Sequence, residues 1–316
     1  MENLIDLKGY PVADVLDKLL QDKTTKRNII FATDAYLTDK LNADKTTEIT
    51  TAMLYGLDTL SIQPRVLKSQ QEQAERTKKK AEVFTPAWIC NRMNNHCDEE
   101  WFGRKDVFNK EVDAKDGKHT WVITEGNIEF PKKKRWQRYV DSKRLEITCG
   151  EAPYIVSRYD AATGEYIPVR ERIGILDRKL RIVGENTDNY KDWLEWTYRA
   201  FQSVYGYEFQ GDNLLIARIN LLTSFVEHRQ ERWQTYTQPT KRELDKIANI
   251  IAWNIWQMDG LTGLVPFSKP VAEQNSLFDF VLQDGEAQNK SVHCRIMDWR
   301  AQKSLTFNSI KENNRR

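Results

Sequence analysis

The chain has almost no excess of charge of either sign: among its 316 residues, 48 basic against 46 acidic side chains leave a formal charge of +2. Whole-chain electrostatics therefore selects no partner, and a nucleic-acid surface would have to be a local patch. No apolar run comes near the roughly 18 residues of a membrane span. The first residues, MENLIDLKGY, lack the basic-then-apolar layout of a secretory leader. A cytoplasmic protein with no membrane partner is expected. Cysteine is scarce, and Cys90, Cys97, Cys149 and Cys294 have spacings that frame no disulfide set, which fits a reducing compartment. Cys90, His96 and Cys97 lie close together, but no second Cys/His pair completes a tetrahedral site, so no metal is expected. There is no G-x-x-x-x-G-K-[ST] and no G-x-G-x-x-G, which disfavours a P-loop nucleotide and a dinucleotide held by the usual fingerprint.

What is present reads as globular, with 40% hydrophobic and 11% aromatic residues, and the chain is long enough for one large domain or two modest ones. Helical periodicity marks 12–21, a short buried strand is expected at NIIFAT (28–33), and a second helical stretch spans about 46–80. That stretch closes in QQEQAERTKKK, read as a solvated helix face. Residues 1–80 thus form a mainly helical N-terminal region. Thr85-Pro86 has the form of a helix start, a Thr N-cap with Pro at the first helical position. Residues 104–140 look like an inserted hairpin, with a strand in TWVITEGNIEF followed by a basic run. There Lys132, Lys133, Lys134, Arg135 and Arg138 interleave with Trp136 and Tyr139. This pattern suits a nucleic-acid backbone, or equally a lysine-protected hairpin edge.

From residue 145 the pattern changes. LEITCGEAPY and VYGYEF each contain a strand, ELDKIANIIAWNIWQMD passes from helix to strand before Asp259, and an amphipathic helix at 192–204 and a long helix at 214–233 lie between. Strand and helix alternating in this way predict a parallel α/β sheet covered by helices on both faces. Glu146, Glu208 and Asp259 stand at the three strand ends. Carboxyl ends of neighbouring strands line one crevice in a doubly wound sheet. Three acids there suit a ligand with a ribose, an adenine and a positive charge better than a polyphosphate. S-adenosyl-L-methionine is the leading candidate.

The order AEVFTP, LEITCGEAPYIV, YGYEFQGDNLLIARINLL resembles gamma-class N6-adenine DNA methyltransferases, the group that includes type I and type IIG modification subunits. In that family a G-x-[FY]-x-T-P segment, a D-P-x-x-G-x-G-x-[FL] loop and an acid followed by an A-R-x-N-L-type helix occur in this order. The likeness covers about residues 80–265. It implies a class I, Rossmann-like methyltransferase fold over 81–316, with insertions at about 104–140 and 161–192. It also implies cofactor contacts by Thr85 and Pro86 near the methionine, by Glu146 in place of the loop's opening Asp, and by Cys149 and Gly150. Glu208 matches the ribose acid, and Asp259 is the best match to the acid near the adenine amine. Ala152 stands where a second glycine is usual, and Pro153 follows it. About sixty residues separate Glu146 from Glu208, against roughly twenty in a bare strand-helix-strand unit.

One motif of the family is missing. No [DNS]-P-P-[YFW] follows Asp259, although the family uses Asn-Pro-Pro-Tyr to hold the flipped adenine. The resemblance therefore implies the cofactor-binding subunit of a split DNA methyltransferase of a restriction-modification or phage-defence system. A second polypeptide would carry the Asn-Pro-Pro-Tyr motif and the target-recognition domain. The alternative is a catalytically inactive relative that serves as a DNA-binding or scaffold protein. No catalytic residue is assigned to this chain in either case. No convincing P-D…[DE]-x-K set marks a metal-dependent nuclease.

Overall fold

The computed structural model describes residues 4–37, 43–56, 60–80, 85–113, 117, 119–268 and 291–309. Helix α1 (Val12–Leu20) buries Val12, Val15, Leu16, Leu19 and Leu20, the stripe that its periodicity predicts. The helical stretch expected over 46–80 is broken. Helix α2 (Thr51–Tyr55) is short, a single 3-10 turn follows Pro64, and α3 (Gln70–Lys80) begins beyond it. Proline locks its own φ and pushes the residue before it out of the helical region, which explains the break. Helix α4 (Ala87–Phe102) follows the Thr-Pro signal, and β1 (Asn109–Asp113) pairs antiparallel with β2 (His119–Ile123) as the expected hairpin.

Past the short helix α5 (Trp136–Val140) comes the sheet. Strands β3 (Arg144–Glu146), β4 (Val204–Glu208) and β5 (Ile255–Gln257) are parallel, in the order β3-β4-β5. Helices α6 (Ile175–Glu185) and α7 (Tyr190–Gln202) connect β3 to β4, while α8 (Gly211–Trp233) and α9 (Lys241–Asn254) connect β4 to β5. The architecture is mixed α/β around a small parallel sheet. Helix α9 starts with a capping box, Thr240 accepting from Glu243 N–H and Glu243 from Thr240 N–H. Helix α8 has seventeen buried residues and so is the central helix rather than a surface one. The segment 161–192, read as an insertion, contains α6, whose Leu176, Leu180, Ile182 and Val183 lie in the main core. The same core takes in Val12 to Leu20, so the N-terminal region packs with the sheet's helices.

Side chains alternate across the sheet. Val204 and Ile255 face the helices, whereas Tyr205, Tyr207 and Trp256 join a second cluster with Met258, Cys294, Ile296 and Phe307. The second face is thus met by the antiparallel hairpin β6 (Arg295–Asp298) and β7 (Lys303–Thr306), where helices were expected on both faces. NIIFAT forms isolated bridges, not a sheet strand: Ile30 pairs with Glu48. The Gln257 side chain replaces a strand neighbour, accepting from Ile30 N–H at 3.0 Å and donating to Ile30 O at 2.8 Å.

Candidate functional site

The chain leaves β3 through a loop with three left-handed residues at alternate positions: Thr148 (φ 46°), Gly150 (φ 54°) and Ala152 (φ 65°). Glycine takes that conformation freely, but a β-branched threonine and an alanine are strained in it. Cys149 is held beneath the loop by its N–H donating to Tyr207 O at 2.8 Å. The loop can settle on β4 because Gly206 has no side chain. A Cβ there would sit 3.2 Å from both Cys149 Sγ and Ile155 Cδ1.

Two carboxylates converge on this loop. Glu208 accepts from Gly150 N–H at 2.9 Å and from Gln210 N–H at 3.0 Å. Glu146 accepts from Ile155 N–H at 3.1 Å and more loosely from Tyr154 N–H at 3.4 Å. Burial raises the pKa of both above the usual glutamate range despite these donors; each also feels a neighbouring acid, Glu208 for Glu146 and Asp212 for Glu208. Burial and then Glu146 and Glu208 push the Cys149 thiol up as well. Burial and mutual repulsion both oppose ionisation here, and a cationic ligand would relieve them. Each carboxylate oxygen keeps a further lone pair for a donor.

Thr85 stands at the edge of this cluster, although not as the expected N-cap. The cap residue of α4 is Pro86, and the carboxylate of Asp160 accepts from Ala87 N–H at 2.8 Å in its place. Thr85 instead hydrogen-bonds the Tyr154 hydroxyl, and its carbonyl takes the Cys90 thiol at 3.7 Å. Thr85, Pro86, Glu146, Cys149, Gly150 and Glu208 are therefore gathered around one loop.

Asp259 is not part of the group. It lies beyond β5, two strands and roughly 10 Å across the sheet from β3. Its carboxylate closes a turn, accepting from Leu261 N–H at 2.9 Å and Thr262 N–H at 3.4 Å.

Several residues that the sequence did not single out build the surroundings. Glu151 is buried, accepting from Arg65 N–H at 2.7 Å and from the Tyr159 hydroxyl at 2.5 Å, which fastens the segment before α3 to the loop. Asn220 donates to Glu151 O and the Tyr159 hydroxyl, while buried Arg218 donates to Ile255 O, Leu19 O and Gln21 O. These are the Arg and Asn of the A-R-x-N-L pattern, and their work is to tie α8 to the loop and to β5. Asp212 is fully buried with Lys68 at 3.2 Å, Arg76 at 2.9 Å and the Tyr36 hydroxyl at 2.8 Å. Burial alone would raise its pKa, but Lys68 and Arg76 outweigh it and hold the carboxyl below the usual range. The QQEQAERTKKK helix is thus anchored through Arg76 and not wholly solvated.

The basic tract is elsewhere. Lys132, Lys133, Lys134, Arg135 and Arg138 are exposed on the approach to α5, at the amino end of β3. Their aromatic neighbours are spent on packing: Trp136 lies 4.6 Å from the Trp196 ring, and Tyr139 is buried with its hydroxyl on Asp98 at 2.8 Å. Tyr139 is thereby closed to base stacking and Trp136 partly covered, and Lys134 is itself engaged, over the Trp101 ring at 4.6 Å and donating to Trp101 O, which leaves Lys132, Lys133, Arg135 and Arg138 exposed for phosphates. A groove of about 460 Å³ beside the tract is lined by Trp101, Lys134, Arg138, Asp141, Lys143 and Arg300. A separate cavity of about 480 Å³ has Phe108, Arg172, Arg178 and Trp193 in its wall, with a buried His228–Asp177 contact of 2.8 Å. No group of three His, Cys, Asp or Glu among the described residues could hold a metal ion. No helix there is long and apolar enough to cross a membrane.

No family model, curated protein or solved structure matches the chain.

Proposed function

We propose that this chain is the S-adenosyl-L-methionine-binding subunit of an adenine-N6 DNA methyltransferase with a Rossmann-like sheet. It would depend on a second polypeptide for the Asn-Pro-Pro-Tyr motif and the target-recognition domain. The observation that carries the reading is the meeting of Glu146 and Glu208 over a left-handed loop, beside Thr85, at the carboxyl ends of two parallel strands. A cationic adenosyl sulfonium would favour the ionised form of the two buried carboxylates, and ribose hydroxyls would donate to Glu208. Asp259 offers no support for the adenine end. Bound there, the cofactor supplies an activated methyl group, and the protein's contribution is alignment. The basic tract would hold DNA backbone away from the transfer site.

Titration calorimetry with S-adenosyl-L-methionine on the wild type, Glu208→Ala and Glu208→Gln tests the assignment. Binding by the wild type and its loss in both variants, with melting temperatures recorded alongside, is the expected result. Equal heats in all three, or none in the wild type, would remove the cofactor. A wild type that binds duplex DNA but no cofactor would fit the inactive DNA-binding or scaffold relative.

A further inference from the structure

Strands β3 and β4 begin beside a basic hollow. Two grooves of about 460 and 350 Å³ adjoin there and share Asp141, Lys143 and Arg300. Lys134 and Arg138 add to one groove and Arg199 to the other, so five cations face a single lining acid. That acid is already engaged: Asp141 accepts from Arg199 Nε at 2.9 Å and Nη2 at 2.5 Å, with Arg300 at 3.7 Å. Asp298, which also feels Lys143, turns its carboxylate to the N–H groups of Arg300 and Ala301. Arg138, Lys143 and Arg300 are exposed, and among the described residues none of the three spends a side-chain donor on a hydrogen bond.

Buried contacts brace this arrangement. Lys179 is fully buried, donating to Val140 O at 3.0 Å, Ser142 O at 2.5 Å and Ser203 Oγ at 2.6 Å. Ser142 and Ser203 each line one of the grooves, yet among the described residues no carboxylate pairs with the Lys179 ammonium. Burial, and then Arg144, lower its pKa well below the usual lysine value, so an anion in the hollow would favour the charged form. On the other wall Trp299 Nε1 donates to Asn254 Oδ1 at 2.8 Å, which pins the β6–β7 turn that carries Arg300. Like charges held together in a concave surface raise the local potential and draw an anion in.

Size and the covered rings decide which anion. Grooves of this volume admit a small ligand or the end of one strand, whereas a duplex is far too wide to enter. Trp101 lies under Lys134, the Trp299 ring is tied to Asn254, and Tyr205 is buried with its hydroxyl on Met297 O at 3.2 Å. Little ring face is left for a base, so the phosphate is what the hollow reads. A terminal phosphate monoester carries about two charges at neutral pH, against one for an internal phosphodiester, and guanidinium forks match its oxygens. We propose that the groove lined by Arg138, Lys143 and Arg300 binds a terminal phosphate, borne by a free nucleotide or by the end of a nucleic-acid strand. This site lies apart from the carboxylate loop and does not depend on the cofactor assignment; its ligand also differs from the internal backbone phosphates assigned to the exposed tract.

Two short labelled oligothymidylates, one ending in a phosphate and one in a hydroxyl, are titrated against the full chain by fluorescence anisotropy, and thymidine monophosphate and thymidine by calorimetry. The phosphorylated strand should bind about tenfold or more tighter than its hydroxyl counterpart, and the monophosphate should bind where thymidine does not. Arg300→Ala and Lys143→Ala, changes at exposed side chains, should each remove most of the preference for phosphate. Lys133→Ala, in the tract outside the groove, should weaken both strands alike and leave the preference intact. A preference confined to the strands assigns the site to strand ends, and one confined to the monophosphate assigns it to a free nucleotide. No preference in either format, no binding at all, or a preference that survives Arg300→Ala and Lys143→Ala overturns the proposal. So does an equal loss of preference in Lys133→Ala, which would mean diffuse attraction and no discrete site.

Discussion

The two ends of the parallel sheet handle charge in opposite ways. At the carboxyl ends, Glu146, Glu208 and Asp212 are drawn inward and held by main-chain N–H groups or by Lys68 and Arg76. At the amino end, Lys132, Lys133, Arg135 and Arg138 are exposed. Five residues of β4 set the ends about 16 Å apart at roughly 3.3 Å per residue. Buried charges there are structural and tunable by ligand, whereas exposed ones act through long-range attraction that salt screens. A phosphate backbone on the basic tract would pass the sheet at the end opposite the carboxylates.

The sharpest break in this comparison is Asp212→Ala. It leaves Lys68 and Arg76 buried without their acid and should cost about 3–5 kcal/mol in urea unfolding, while Lys133→Glu at the other end should leave the midpoint unchanged. Next is pH. Raised pKa values mean that protonation of Glu146 and Glu208 competes with a cationic ligand, so S-adenosyl-L-methionine affinity should fall as pH drops through them. Calorimetry of the wild type across pH would record this fall.

Linkage in the ligand-free chain sharpens the contrast within the carboxyl end itself. For Glu146 and Glu208 the favourable contribution is complete below 4.5 and lost as pH rises through the raised folded values. Asp212 behaves oppositely, stabilising above 3.8 and losing that as pH falls through its depressed value. Exchanging Asp212 for Asn should lower stability at neutral pH and, in a pH series of melts, abolish the Asp212 acid-side loss.

Two smaller effects follow. Replacing Lys132, Lys133 and Arg135 by Ala should lower the salt slope of duplex DNA binding by about 0.9 for each phosphate no longer neutralised, with cofactor binding unaltered. The smallest is Ala152→Gly, which relieves a left-handed alanine and should stabilise by at most about 1 kcal/mol, after the greater entropy of glycine in the unfolded chain is set against it. A melting temperature that drops instead would show that the loop needs the alanine methyl.

Periodicity and turn chemistry alone determined α1, α7, α8, α9, β4 and β5, because each is a local pattern long enough to outvote its neighbours. The ordered motifs likewise brought Thr85, Glu146, Cys149, Gly150 and Glu208 into one group. Only the tertiary structure decided how those groups are used. Asp160 caps α4 from 73 residues away, Arg76 reaches Asp212 across the fold, and Asp259 turns its Oδ1 to the N–H groups of its own turn. The i, i+4, i+7 spacing of Leu176, Leu180 and Val183 does mark α6 locally, although the family likeness placed it within an insertion, and the hairpin on the second sheet face was unexpected. The physical reason is common to all of these: a hydrogen bond or ion pair between distant residues has no sequence period, and burial, which sets the pKa and the availability of each carboxylate, exists only once the chain has closed around it.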